Sequence, residues 1–238
     1  MKNSVIRSDV FELLSSVSAG SVDMILTDPP YGSTTCDWDV HVDFARLMEE
    51  FRRVLRRGGN CLVMGTNPFM AKLITANASW FKHDLVWDKV IPNGAWYSRY
   101  RPMGRHELIA VFGVGKCYYE PLMEERDRPI YCGGGGWASN IVSGFVPVRK
   151  DVYTHRHPTT ILSVVKKKGV KGLHPSHKPI ELMERLIRMY CPVGGLVLDP
   201  FCGSGSVGAA CVRSGRDYLL GDIDEGFVEY SRRVCDEA

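Results

Sequence analysis

At 238 residues the chain has room for one sizeable α/β domain with an insertion, or at most two small domains. Hydrophobic content of 45% is that of an ordinary globular protein, and a formal charge of +3 is too small to imply nucleic acid by itself. Eight cysteines without a CxxC pair argue against a zinc ribbon or a thioredoxin-type site, and no apolar run approaches a membrane span or a secretory h-region. The expectation is a reduced, cytosolic, soluble protein with no metal centre.

Val5 and Ile6 form a short strand, and Asp9 opens a helix through Phe11, Leu13 and Leu14. Val22, Met24, Ile25 and Leu26 make a mostly apolar run, as in a strand buried in a sheet. It stops at Asp28-Pro29-Pro30-Tyr31. Two prolines in a row end the hydrogen-bond ladder and hold the chain extended. The predicted outcome is a stiff loop at the strand's carboxyl end, where open α/β sheets place their ligands. Residues 32–39 form a polar loop containing Trp38, placed to act as a lid or to touch a base.

Apolar residues from Val42 to Leu55 recur at helical spacing, so 41–56 reads as an amphipathic helix ended by Gly58 and Gly59. A buried strand at Cys61–Met64, a helix at Pro68–Ala78, and strands at Asp84–Trp87 and Glu107–Phe112 follow. Periodicity then weakens until about residue 173. Regular structure returns with a helix from Leu182 to Tyr190, a strand at Leu196–Leu198, a glycine loop at Cys202–Gly205 and a helix at Ser206–Ser214. A strand at Tyr218–Leu220 and a helix at Glu225–Cys235 close the chain.

The weakly periodic region has a charge bias. Residues 128–178 hold nine Lys or Arg, Arg156 and Lys166-Lys167-Lys168 among them, against one acid, Asp151. Tyr131, Trp137, Phe145 and Tyr153 are interleaved. Basic residues with aromatics suit phosphate contact and base stacking, so nucleic acid is expected to bind there.

Two stretches carry chemistry. An exocyclic amine on a nucleobase is flat and a poor nucleophile, because its lone pair is conjugated with the ring. The Asp28 carboxylate and a Pro29 carbonyl could accept from its two N–H groups and favour the positive charge that develops as it attacks an electrophile. Tyr31 could stack on the base. The second stretch, VLDPFCGSGSVG (197–208), reads strand, turn, helix start. Gly203, Gly205 and Gly208 fit G-x-G-x-x-G, and Asp222 follows Gly203 by 19 residues at the end of another strand. That pattern forms a nucleoside cleft, with the acid on the ribose. Asp199, just before the loop, would repel a pyrophosphate but face an ammonium, which favours S-adenosylmethionine over a dinucleotide.

Taken together, DPPY, FCGSG, HPSHKP (174–179) and the acid-ended strand resemble the β-class DNA amino-methyltransferases, in that family's permuted order of catalytic motif, target-recognition region and cofactor loop. LRRGGNCLVMG (55–65), LVWDKVIPNG (85–94) and RHELIAVFG (105–113) resemble its intervening motifs. The resemblance implies an α/β, doubly wound, Rossmann-like S-adenosylmethionine-dependent methyltransferase sheet of seven strands, mostly parallel, with one antiparallel. It implies a catalytic half at 1–115, an inserted target-recognition region at 116–173 and a cofactor-binding half at 174–238. Asp28, Pro29, Pro30 and Tyr31 match the catalytic tetrad. Asp9, Asp28, His174, Ser176, Lys178, Asp199, Phe201, Gly203, Gly205, Asp222 and Ile223 make up the cofactor set, with His174, Ser176 and Lys178 matching the motif beside the methionine end. Arg156, Lys166, Lys167, Lys168 and Trp38 are the expected nucleic-acid contacts.

Asp at the head of the tetrad usually accompanies methylation of adenine N6, and Ser that of cytosine N4. The expected activity is site-specific transfer of the S-adenosylmethionine methyl group to N6 of a flipped adenine in DNA, by direct in-line attack. A cytosine-N4 enzyme of the same fold is the nearest alternative; an RNA methyltransferase and an inactive DNA-binding subunit come after it. No Pro-Cys dipeptide is present, which argues against carbon-5 cytosine chemistry. The expected setting is the cytoplasm of a prokaryotic or phage-infected cell. A homodimer and a partner nuclease of a restriction–modification pair are left open.

Overall fold

The computed structural model describes residues 2–30, 42–131, 152–165 and 177–238. Its centre is β2 (Val22–Thr27), every residue of which is buried. A parallel strand covered on both faces needs a nearly continuous apolar run, and that is what the sequence holds there. Parallel neighbours flank it: β9 (Leu196–Asp199) on one side and β3 (Leu55–Gly65) on the other. The full order is β1-β10-β9-β2-β3-β5-β4-β8, where β1 is Ser4–Arg7, β10 Asp217–Asp222, β4 Phe81–Asn93, β5 Gly104–Gly113 and β8 Ile161–Ser163. All strands run one way except β5, which is antiparallel to β3 and β4. The large sheet is thus mostly parallel with one reversed strand, and β8 adds an eighth to the seven expected.

Helices α1 (Val10–Ser16), α2 (Phe44–Val54) and α3 (Phe69–Ala76) share a core with Ile25, Cys61, Val63 and Leu198 of the sheet. Helices α4 (Ile180–Tyr190), α5 (Ser206–Ser214) and α6 (Glu225–Asp236) pack on one another and on β1, β2 and β10. Asp9 caps α1, its side chain accepting from the Phe11 and Glu12 amides at 2.8 and 3.4 Å. One buried acid pins the middle of the sheet: Asp23 accepts from the Leu196 amide at 2.8 Å and from Arg56 at 2.5 Å.

Gly58 and Gly59 do not end α2. The helix stops at Val54, Leu55 is extended, and both glycines lie inside β3. The reason is close approach between strands: a Cβ on Gly59 would sit 2.7 Å from the Asp23 carbonyl oxygen. A second compact unit, Pro121–Thr159, holds an antiparallel pair, β6 (Glu124–Tyr131) with β7 (Val152–Arg156). These strands gave no periodic signal because a two-stranded ribbon with no described buried residue has no face to set an alternation. Among the described residues no helix is long and apolar enough to cross a membrane.

Candidate active site

Strand order sets the site. The carboxyl ends of β1, β10, β9, β2, β3 and β4 lie along one edge of the sheet, together with the amino end of the reversed β5. Asp9, Asp222, Asp199 and Asp28 follow or end β1, β10, β9 and β2, so residues far apart in sequence form a row.

The two chemical stretches meet directly. Thr27, the last residue of β2, donates to Asp199 Oδ1 at 2.8 Å, a bond between positions 172 residues apart. Asp28 and Pro29 therefore leave the sheet beside the strand that feeds the glycine loop. Pro29 is buried, and Asp28 and Pro30 are half-buried.

Asp199 is buried, and among the described residues no basic side chain pairs with it. The Phe201 amide adds a donor at 3.1 Å. Burial still dominates, pushing the Asp199 carboxyl up to about 7 despite the Thr27 and Phe201 hydrogen bonds. The local environment therefore lacks a positive charge, which a ligand ammonium would supply and a pyrophosphate would not. Gly203, at φ +47°, faces open space: a Cβ there would meet nothing within 4 Å. Gly205, at φ +73°, lies against α6, where a Cβ would come within 2.8 Å of Ser231 Cα. Gly208 fits the helix onto β10, since a Cβ would meet Leu220 Cδ1 at 2.6 Å. This carboxylate acceptor and open backbone fit S-adenosylmethionine.

Asp222 closes the other side of the loop. It accepts from the Gly203 amide at 2.9 Å and the Asp224 amide at 3.0 Å, and burial raises its carboxyl above the usual range. The Ile223 amide also bonds this carboxylate, whose remaining acceptor direction suits a ribose hydroxyl. Ile223 beside it is 65% exposed, an apolar face next to the cleft. Asp9 sits one strand further along, where the Ser8 amide donates to the Asp222 carbonyl at 3.0 Å.

Lys178 is central to the catalytic side. Its ammonium pairs with Asp28 Oδ2 and lies 3.6 Å from Glu107 Oε2. Glu107 Oε1 in turn takes Lys89 at 2.6 Å. The result is an alternating chain, Asp28–Lys178–Glu107–Lys89, running from β2 across to β5 and β4. The segment carrying Lys178 is stapled to the glycine loop: Ser206 Oγ donates to the Lys178 carbonyl at 2.8 Å, and His177 Nδ1 lies 2.9 Å from Ser204 Oγ.

Sequence reasoning did not single out Glu107, Lys89, Ser204 or Ser206. The available signal for the first two was a charge set against an apolar strand in each case, ELIAVF and LVWDK. Tyr31, Trp38, Lys166, Lys167, Lys168, His174 and Ser176 lie outside the described residues. Arg156 belongs to β7, where it pairs with Glu124 at 2.9 Å.

Comparison with known proteins bears on the family and the fold. A family model described as DNA methylase, N6/N4 type, matches residues 22–233. The chain is similar to the DNA adenine methyltransferase YhdJ of Escherichia coli K12, 26% identical over 262 residues that cover 98% of this chain and 83% of that one. The fold resembles M1.HpyAVI crystallised with S-adenosylmethionine, with a TM-score of 0.65 at 18% identity over 97% of this chain and 98% of that one. It also resembles the cytosine-N4-specific PvuII DNA methyltransferase, with a TM-score of 0.67 at 15% identity over 98% of this chain and 86% of that one. With the family model matching residues 22–233, nearly the whole length, the chain belongs to the N6/N4 DNA methylases, which use S-adenosylmethionine.

Proposed function

We propose that this enzyme methylates N6 of adenine in DNA. The observation that carries the reading is the Thr27–Asp199 bond, which sets a carboxylate and a proline carbonyl beside the cofactor loop. Bound there, S-adenosylmethionine supplies an electrophilic methyl group on a sulfonium. Asp28 and the Pro29 carbonyl accept from the two N–H groups of the flipped adenine and turn its lone pair toward that methyl. As the N–C bond forms, the S–C bond breaks. The proton that the amine must shed leaves along the hydrogen bond to Asp28. No covalent enzyme intermediate is needed. Asp199 holds the cofactor's ammonium, Asp222 its ribose hydroxyls, and Ile223 and Asp9 line its adenine end. Tyr31 stacks on the target base. Residues 116–173, which contain the unit at 121–159, serve as the target-recognition region.

Adenine is favoured over cytosine by Asp at the head of the tetrad. Mass spectrometry of nucleosides from DNA treated with enzyme and cofactor decides the matter. N6-methyladenine is the expected product; N4-methylcytosine would replace the adenine reading, and no modified base would remove both.

Two predictions follow from the acids of the cleft. Asp222→Ala is expected to weaken S-adenosylmethionine binding by about tenfold or more, since each hydrogen bond to a charged group contributes roughly 1.5–3 kcal/mol. Isothermal titration showing unchanged affinity would remove Asp222 from the ribose. Asp199 predicts a pH dependence. Its carboxyl titrates at about 7 in the free protein, and an ammonium binds the ionised form best. Cofactor affinity should therefore climb as pH rises toward 7 and level off above, and Asp199→Asn should flatten the curve. The stability effect has the opposite sign. A raised folded-state pKa means the native chain keeps a proton that the unfolded chain releases, so this contribution is full at low pH and declines as pH rises from the ordinary 3.8 through about 7.

A further inference from the structure

The connection between β4 and β5 holds a surface that methyl transfer does not use. Asn93 pairs with Gly104, so the two strands continue as a ribbon, and residues 94–103 cap it. The cap is apolar yet open to solvent: Trp96 is 75% exposed and Tyr100 87%. The Trp96 and Tyr97 rings stack with centroids 3.7 Å apart, and the Arg101 guanidinium lies 4.7 Å from the Tyr97 ring centre. No acid occurs from Lys89 to His106. Among the described residues neither Arg99 nor Arg101 pairs with a carboxylate.

The base of the ribbon is braced. Arg105 grips Asp88 with two bonds of 2.5 and 2.8 Å, which hold that carboxyl well below the usual carboxylate range. The Val90 amide donates to Asp88 Oδ1 at 2.9 Å, and this bond accompanies a φ of +66° at Val90. A β-branched residue is rarely found there unless its surroundings impose it. The ribbon also departs beside the catalytic row. Lys89, the residue before Val90, pairs with Glu107, which contacts Lys178, the partner of Asp28.

Exposed ring faces combined with uncompensated cations match one chemistry: unstacked bases on a phosphate backbone. We propose that this ribbon is a DNA-contacting finger. Trp96, backed by the Tyr97 ring, and Tyr100 stack on bases uncovered when the target nucleotide leaves the duplex, and Arg99 and Arg101 neutralise the flanking phosphates. The proposal rests on DNA being the substrate, and not on which base is methylated.

Two double variants test it, Trp96→Ala/Tyr100→Ala and Arg99→Ala/Arg101→Ala. Fluorescence anisotropy is read with a random-sequence duplex and with single-stranded oligothymidine over a salt series. The aromatic variant should bind both probes about tenfold or more weakly. The arginine variant should lower the slope of log affinity against log salt by roughly one per arginine. Cofactor titration should match the parent in both, and Trp96→Phe/Tyr100→Phe should recover most of the binding. Parent-like DNA affinity and salt slope would overturn the finger. So would sedimentation showing that the aromatic variant loses self-association while keeping its DNA affinity, because the occupant would then be a second copy of this chain. If a double variant fails to bind cofactor, the single variants Tyr100→Ala and Arg99→Ala decide: parent-like salt slope in Arg99→Ala together with parent-like DNA affinity in Tyr100→Ala overturns the proposal. Should the parent itself neither bind nor methylate DNA, the function reading fails instead, an outcome distinct from equal binding by parent and variants.

Discussion

Asp28→Ala is expected to lower the rate of methyl transfer by about two to three orders of magnitude or more, with most cofactor binding kept. The carboxylate is the charged acceptor at the end of β2, half-buried and fixed by Lys178. In the proposed mechanism, removing it takes away the group that stabilises the positive charge on the attacking amine, an interaction felt in the transition state and hardly in the ground state. In the proposed reading cofactor binding rests mainly on Asp199, Asp222 and the glycine loop, which hold one another through bonds that do not involve Asp28. Single-turnover transfer of a tritiated methyl group, beside isothermal titration with the cofactor, separates the two effects. A variant that methylates DNA at the parent rate would take the tetrad out of catalysis.

Lys178→Met should lower both stability and turnover. Lys178 and Glu107 side chains are only 12% and 13% exposed, and Asp28 is 25% exposed. Removing one partner of a fully buried pair costs roughly 3–5 kcal/mol, because it strands the other charge. Here Glu107 retains Lys89, and Asp28 retains some water, so the low end, about 3 kcal/mol, is expected. Denaturant titration measures this. Turnover should fall more than cofactor affinity if, as we propose, Lys178 acts by orienting the Asp28 carboxylate with which it pairs. Adding Glu107→Leu to Lys178→Met should depart from the sum of the two single changes, since both side chains belong to one ion chain. Strict additivity, or unchanged turnover in Lys178→Met, would show that the ion chain is not coupled to Asp28.

The legibility of this protein varied with the range of the interaction. Strand β2, the proline stop, the glycine loop and the helix that follows it were readable because each depends on adjacent residues: apolar runs, fixed proline φ, and glycines where φ is positive or backbone approaches closely. Asp9 was readable as a helix start for the same local reason. Gly58 and Gly59 were misread because two meanings of glycine look alike in sequence. Only the closeness of the Asp23 carbonyl to Gly59 shows that they serve the sheet. The ribbon of β6 and β7 gave no signal because it has no described buried face. Glu107 and Lys89 sat unnoticed inside stretches already assigned as strands.

The chain's own chemistry determined a mostly parallel α/β sheet, two ligand-facing turns and the family to which they belong. Tertiary structure alone decided that those turns lie side by side, because a hydrogen bond between Thr27 and Asp199 depends on β2 and β9 being neighbours. It also decided the partner of Lys178. Strand reversal at β5 brings the Glu107 carboxylate to the same edge as Asp28, and an ion pair forms wherever the fold sets opposite charges within reach, whatever their separation in sequence.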